Sequence, residues 1–505
     1  MLSARLTDWL GAAFSQRRAP TQGGDSKRGR WIVALLWLAF VAFLASRHVM
    51  WRDEVRALSL ALGGDTIVDM PALARGYGHP LLWHCILRAG HDLFATRMVL
   101  PGAALLISVA SATLLLWASP FRLVIVCLVL FSGFGLYEYG VIARNYGISM
   151  LLLFALAGCY PNARRRGLLL GMLLALLCNT NVHSVVLAVA FYLFWAVDIA
   201  GLDGARWSTA KRVLLPNAAL LALGALLSFA SVFPSLEDAP TVATNSLLAR
   251  GLQLIPGVAF ARIFGNFHFG ILLRIVAASL LVGSLGMFAK RPAALIAALA
   301  ALLGMQAIFV FVYPGFYRPE ALLIAFDITL LWLVLKGYGD SWPTHGGRSI
   351  WLARVDLGGR ALFLTLRAAQ LPASARAVIN AVTARPESAA RDIARLVSRY
   401  RLERAAIVAD PDFMAETLPY YLNNPIYSLR QARFSHVVGM IRAESAPMTM
   451  RRILATAQLV HSKTGRDVLI LLNTSLAVAD HPIVIDRSTF GPLVLIPQEV
   501  RAFRE

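Results

Sequence analysis

The sequence predicts a polytopic α-helical membrane protein of about 10 to 11 transmembrane helices, with a small α/β domain at its C-terminal end. Three observations predict it. The 505 residues are 58% hydrophobic and 15% charged, with a mean hydropathy of +0.64, which is more apolar surface than a soluble core of this length needs. The net charge of +20 is carried by basic residues in short turns between apolar runs, a topology signal that argues against nucleic acid as a partner. Beyond residue 340 the composition shifts, and helix-like and strand-like segments alternate.

Residues 1 to 30 form a basic tail with Arg17, Arg18, Lys27, Arg28 and Arg30. The first long apolar run begins only at Trp31, so this is not the pattern of a cleaved signal peptide, and the tail is expected to stay cytoplasmic. A transmembrane module follows over 31 to 373. Its spans are predicted at 31 to 49, 98 to 117, 121 to 137, 146 to 161, 167 to 181, 184 to 200, 213 to 233, 270 to 289, 293 to 313 and 319 to 337, each near the length a bilayer needs. Counted from an inner N-terminus, the turns at Arg122, "NARRRG", "DGARWSTAKR" (with Lys211) and "AKRP" are cytoplasmic, and all four are basic. The opposite face receives "WRDEVR", "GYGHPLLW", "YEYGVIARNYG", "NTNVHS", the long loop from Phe233 to Phe269, and "YPGFYRPE". Cys85, Cys127, Cys159 and Cys178 lie singly in apolar segments and read as small core residues.

The first outer loop, 50 to 97, is the richest in polar chemistry. Asp53 and Glu54 stand side by side at the exit of the first span. Val55, Leu58 and Leu62 then recur at helical spacing, so "DEVRALSLAL" is expected to lie as a short surface helix. Proline holds His79 extended. In the next run, too short to span, Leu82, Ile86, Ala89 and Leu93 form one face and His84, Arg88 and His91 another.

"WRDE" at the first exit, "GHPLLW", a later "ARNYG" and an outward "YRPE" resemble the polyprenyl-phosphate-sugar-dependent glycosyltransferases of the GT-C superfamily. The likeness is to bacterial relatives of the protein O-mannosyltransferases and the lipid A aminoarabinose transferases, over roughly residues 30 to 340. It implies a GT-C-like fold in the bacterial inner (plasma) membrane, multi-pass, with the active site on the periplasmic or extracellular face. It also implies transfer, with inversion, of a sugar from a polyprenyl-phosphate donor held in membrane lipid to an envelope glycan, lipid or protein acceptor. By the resemblance Asp53 is the general base, and Glu54 orients the acceptor or helps bind a metal. His79, Arg144 and Arg318 hold the donor phosphate, while Tyr146, His183 and Tyr317 line the mouth. No cofactor is certain and a divalent metal stays open, because Glu138 beside basic Arg144 replaces the second acidic motif that one branch carries. Arg318 is followed by Pro319 and Glu320, where a small residue is usual.

Each role has a structural counterpart. Asp53 would also cap the helix after it, with Glu54 near its N-terminus. Arg144 and Tyr146 would also anchor a membrane interface, His183 would sit in a hydrogen-bonded turn with Asn179 and Asn181, and Arg318 would snorkel. A transporter or lipid flippase with an outward polar vestibule is the competing function class. It would show internal repeats and charges within spans, and neither is evident.

The "GYGDSWPTHGGR" linker and the broken apolar run "ALFLTLRAAQL", with Arg360 before it and Arg367 within it, lead to the last domain, 374 to 505. If that run spans, the domain shares the active-site face, which is the expectation taken. Helices at "RDIARLVSRY", "PDFMAETLPYYL" and "MRRILATAQLVHS" alternate with strands at 405 to 410 and 466 to 472, giving a parallel sheet. Asp410 ends a strand where α/β ligands bind, and equally precedes a proline turn. The domain is assigned a structural or acceptor-docking role.

Overall fold

The computed structural model describes residues 11, 13–14, 26–64, 66, 68–70, 77–203, 209–233, 270–312, 317–339, 350–384, 388–438, 447–474, 482–485 and 493–504. The tail arginines Arg17 and Arg18, most of the 233 to 269 loop, "YPGF" of the last outer turn and most of the Gly-rich linker lie outside the described residues.

A helix stands at each of the ten predicted spans: α1 (Lys27–Arg47), α4 (Val99–Thr113), α5 (Leu123–Leu130), α6 (Tyr146–Ala163), α7 (Leu169–Cys178), α8 (Val182–Asp203), α9 (Thr209–Val232), α10 (Gly270–Ser284), α11 (Pro292–Phe311) and α12 (Tyr317–Leu335). Two shorter helices, α2 (Arg52–Ala61) and α3 (Leu82–Phe94), occupy the first loop. Among the described residues, six helices are long and apolar enough to cross a membrane. Their large side chains point outward as often as inward: Leu35, Leu106, Leu226 and Leu303 are each more than 60% exposed. Around a water-soluble core such a girdle would be costly, whereas lipid tails accept it.

The remaining helices depart from the span pattern for local reasons. The 121 to 137 run breaks after α5, where Ser132 Oγ donates to Val129 O at 2.7 Å and a π-helical turn, Phe134–Glu138, follows. A Cβ at Gly135 would lie 2.1 Å from Val129 O, so the turn requires glycine there. That break delivers Tyr137 and Glu138 to the end of the bundle. In α12, Arg318, Glu320 and Asp327 interrupt an otherwise apolar run, and the helix is buried along almost its whole length.

Polar contacts gather at two ends. At one, Arg30 donates to Leu116 O and, at 2.6 Å, to Phe121 O. There too buried Asp198 accepts from Arg164, Tyr160 OH and Gly339 N, each at 2.7 Å. At the other end lie the first loop, the 137 to 146 turn, residues 179 to 184 and the start of α12. Asn145 Nδ2 donates to Thr180 O at 2.5 Å, and Ser149, Thr180, Asn181 and Ser184 form one hydrogen-bonded cluster.

Helix α13 (Ile350–Ala368) packs against α10 and its 3-10 extension Leu285–Phe288, so the ambiguous run belongs to the bundle. Arg367 is fully buried there, over the Phe134 and Phe363 rings at 5.5 Å each. The chain then emerges at the first-loop end through α14 (Leu371–Val382) and α15 (Ala390–Arg399). The final domain contains a four-stranded sheet in the order β3-β2-β1-β5, with β1 (Ala406–Asp410), β2 (Ile426–Ser428), β3 (Arg433–Phe434) and β5 (Val468–Leu472). The β1 and β5 strands run parallel, in register from Ala406↔Val468 to Asp410↔Leu472, as the alternation predicted. Between them in sequence, α16 (Met450–Thr464) is capped by the Thr449 side chain and ends at Gly465, φ 63°. A three-stranded sheet, β4 (Met448–Thr449), β7 (Leu493–Leu495) and β6 (Ile483–Ile485), stands beside it. "PDFMAETLPYYL", expected to be helical, forms a 3-10 helix, Asp412–Tyr420.

Replacing Asp198 by Ala would leave Arg164, the Tyr160 hydroxyl and the Gly339 amide without their acceptor. A cost of about 3 kcal/mol is expected, read as a lowered Tm in detergent, with Asp198→Asn intermediate.

Candidate active site

The α2 helix decides what the two acids do. It starts at Arg52, with Trp51 as its N-cap residue, so Asp53 and Glu54 occupy its second and third positions. Glu54 Oε2 accepts from the Trp51 amide at 3.1 Å, the acidic half of a capping box. The same oxygen is 2.8 Å from His48 Nε2, and Oε1 accepts from the Ala143 amide at 2.6 Å. Fully buried, Glu54 is occupied on both oxygens by the protein itself. It ties the exit of α1, the start of α2 and the 139 to 145 turn together. The capping expected of Asp53 therefore falls to Glu54.

Asp53 is left for other work. Its side chain is 27% exposed, and Oδ2 lies 2.6 Å from Arg144 Nη1. Oδ1 lies 3.2 Å from the Arg52 guanidinium. Burial alone would raise its carboxyl, but Arg144 and then Arg52 hold it well below the usual carboxylate range. Arg144 also donates from Nη2 to His79 Nε2 at 3.0 Å, so neutral His79 carries its proton on Nδ1. Burial first, then Arg144, keeps His79 from protonating. His79 thus stands as a neutral support for Arg144.

The remaining candidates gather around this pair. Arg318 pairs closely with Glu138 and lies over the Trp51 ring at 4.7 Å, and its carbonyl accepts from Tyr139 OH at 2.6 Å. Tyr146 is stacked on Tyr139, the rings 8° from parallel, with Arg144 6.0 Å from its centre. Tyr317 fills the space over Gly133, where a Cβ would come within 2.8 Å of its hydroxyl. His183 opens α8 against Phe309, ring centres 5.5 Å apart. Its Nε2 is buried with no hydrogen-bond partner among the described residues. Among those residues no group of three or more His, Cys, Asp or Glu is placed to hold a metal ion.

No family model matches the chain, and no curated protein matches it. Among solved structures it is similar to the crystal structure of ArnT from Cupriavidus metallidurans in the apo state, at 12% identity and a TM-score of 0.49, over 95% of each chain. It is also similar to that of the same protein bound to undecaprenyl phosphate, at 13% identity and a TM-score of 0.47, over 94% of each chain.

Sequence reasoning missed His48, Arg52 and Glu416. A signal existed for His48, a polar residue at the end of an apolar run and one helical turn and a half before Glu54. Nothing in "MAETL" marks Glu416. The α3 helix adds a surprise of orientation: Trp83, His84, Leu87 and Arg88 face the protein, while Leu93 and Phe94 are exposed. Its inward face thus mixes Trp83 and Leu87 with His84 and Arg88, while its apolar C-terminal end points outward, as a helix at a lipid boundary does.

Two outcomes are expected. Glu54→Ala, which strands two backbone amides and His48, costs about 3 kcal/mol, whereas Asp53→Asn stays within about 1 kcal/mol of the parent; thermal unfolding of the two variants separates them. Burial and then Arg144 depress His79, and burial lowers His84 to about 4. Both take up protons on unfolding below their ordinary value of 6.5, so stability present at neutral pH is lost as pH falls from there toward 4. Amide exchange over residues 77 to 94, corrected for intrinsic rate, should rise between pH 7 and pH 5.

Proposed function

We propose that the chain is a membrane glycosyltransferase of GT-C type that moves a sugar from a polyprenyl-phosphate donor to an envelope acceptor, with inversion. The observation that carries this reading is Asp53. It is a partly buried carboxylate, 27% exposed, released from capping by its neighbour, held ionised between two arginines, and set where a surface helix meets the end of an apolar bundle. Ionisable groups so placed are functional by default.

In the reaction, the acceptor hydroxyl oxygen bonds to the anomeric carbon while the bond from that carbon to the phosphate oxygen breaks. The hydroxyl proton passes to Asp53, and the bonding electrons leave with the lipid phosphate. A base within hydrogen-bond reach contributes typically about 10²- to 10⁴-fold. The leaving phosphate needs positive charge: Arg52, Arg56, Arg144 and Arg318 pair with Asp53, Glu138 and Glu416, four guanidiniums against three carboxylates, a balance that favours an incoming anion. Arg144 is the first candidate for the phosphate, supported by His79, with Arg318 released from Glu138 as the second. Tyr146, His183 and Tyr317 line the approach. Glu54 acts by holding Asp53 and the 143 to 146 segment in register.

The same reading takes the chain as multi-pass in a bacterial inner membrane, with ten or eleven crossings counting α13 as the last. The N-terminus is then cytoplasmic and the site periplasmic. The basic turns favour this orientation, and the two separate ends of polar contacts agree with it. The final domain, docked on the first loop, shares the site's face. The gathering of charge at one end favours an enzyme over a transporter, whose charges would line a path through the spans.

Purified protein given labelled polyprenyl-phosphate sugars and extracted envelope acceptors should transfer label. Asp53→Asn should fold normally and lose transfer by at least about 10²-fold, and Arg144→Ala should weaken donor use by about tenfold or more. Normal transfer by the Asn variant would return Asp53 to a structural role. Cysteine labelling should place positions 53 and 144 on one face of the membrane and positions 165 and 211 on the other.

A further inference from the structure

The C-terminal domain reaches the candidate base through one acid. Glu416, on the 3-10 helix Asp412–Tyr420, is almost fully buried. Its Oε1 accepts from the Val438 amide at 2.7 Å, and its Oε2 lies 3.7 Å from Arg52 Nε and 3.6 Å from Arg56 Nη1. Arg52 also lies over the Phe413 ring, at 5.2 Å. Arg56 donates to Val438 O at 3.2 Å and covers the Tyr77 ring at 4.5 Å. One guanidinium, that of Arg52, is therefore shared between Asp53 of the first loop and Glu416 of the last domain.

We propose that Glu416 is a positioning residue of the transfer site, sharing Arg52 with Asp53 and so holding that guanidinium back from the base. The inference rests on the reading of Asp53 as the base. Its chemical sense is direct. Arg144 is already in close contact with Asp53, and Arg52, 3.2 Å from the same carboxylate against 3.7 Å from Glu416, weakens it further as a base, the more so if its charge were not partly balanced by Glu416. Glu416 draws off part of that second charge and clamps Arg52 and Arg56 in place. The charged groups around Asp53 are Arg52 on its own helix, Arg144, Arg318 and Glu416, with neutral His79 and Tyr146 beside them. Within this set Glu416 is the acid that contacts Arg52 from outside the membrane module.

The test needs no substrate. Asp53→Cys in the full-length protein puts a titratable thiol at the base's position, and an uncharged maleimide reports its thiolate, read by peptide mass spectrometry so that the four native cysteines do not interfere. Adding Glu416→Gln should lower the pH of half-maximal alkylation by about half a unit or more, because Arg52 is no longer shared. With Arg52→Gln also present, that shift should shrink to less than about 0.2 unit. An unchanged thiol in the Glu416→Gln protein, or a shift of equal size without Arg52, would overturn the proposal. If Glu416→Gln does not fold, Glu416→Asp, which keeps the charge but shortens its reach, should give a smaller shift of the same sign, and none would overturn it. Failure of sugar transfer by the parent protein would sink the glycosyltransferase reading without moving the thiol, so the two failures are distinct.

Discussion

A carboxylate with no access to water must find its hydrogen bonds inside the protein, and Glu54 finds them at three places that the chain would otherwise leave apart. His48 closes the first membrane helix, the Trp51 amide opens the surface helix, and the Ala143 amide belongs to a turn about ninety residues away. Because each contact is a backbone donor or a buried ring, their geometry has little slack. Asp53 precedes Glu54 by one residue and Arg144 follows Ala143 by one. The 2.6 Å contact between those two charges is thus fixed by the pair of residues beside them. The site is held from behind by its neighbours in sequence.

The charge arrangement follows from this frame. Three arginines approach Asp53 or its surroundings from three elements, and two of them are already engaged elsewhere: Arg318 by Glu138 and Trp51, Arg52 by Glu416 and Phe413. Such divided loyalties keep the guanidiniums ordered, and under the proposed function they leave each able to exchange one partner for the donor phosphate. A fully satisfied ion pair would resist that exchange, and an unpartnered one would not hold its place.

Much of the helical order was legible in the sequence, because span length and basic turns are strong, local signals. The ten runs appear as helices at the expected positions, and the strands at 406 to 410 and 468 to 472 pair as the alternation implied. Asp53, Glu54, His79, Arg144 and Arg318 do come together at one end. What the sequence withheld was the division of labour. Two adjacent acids at a helix start are equivalent by composition, and only the three-residue step from Trp51 to Glu54 makes one of them the cap. The neutral state of His79 depends on its burial and then on Arg144, sixty-five residues on, and Glu416 sits in a segment whose pattern speaks only of a helix.

The docking of the last domain on the first loop bears on how the molecule is made. Met50 donates to the Tyr421 hydroxyl and Arg56 to the Val438 carbonyl, across sequence separations of 371 and 382 residues. Contacts between such distant segments form late, since the closure entropy must be met before they stabilise anything. During synthesis the first loop therefore emerges long before the segment that clamps Arg52 exists. A ribosome adding about 5 to 20 residues per second leaves that loop without its lid for tens of seconds. Biogenesis thus imposes a waiting period on the nascent chain: the membrane helices are in place first, and charge tuning around Asp53 arrives with the final domain.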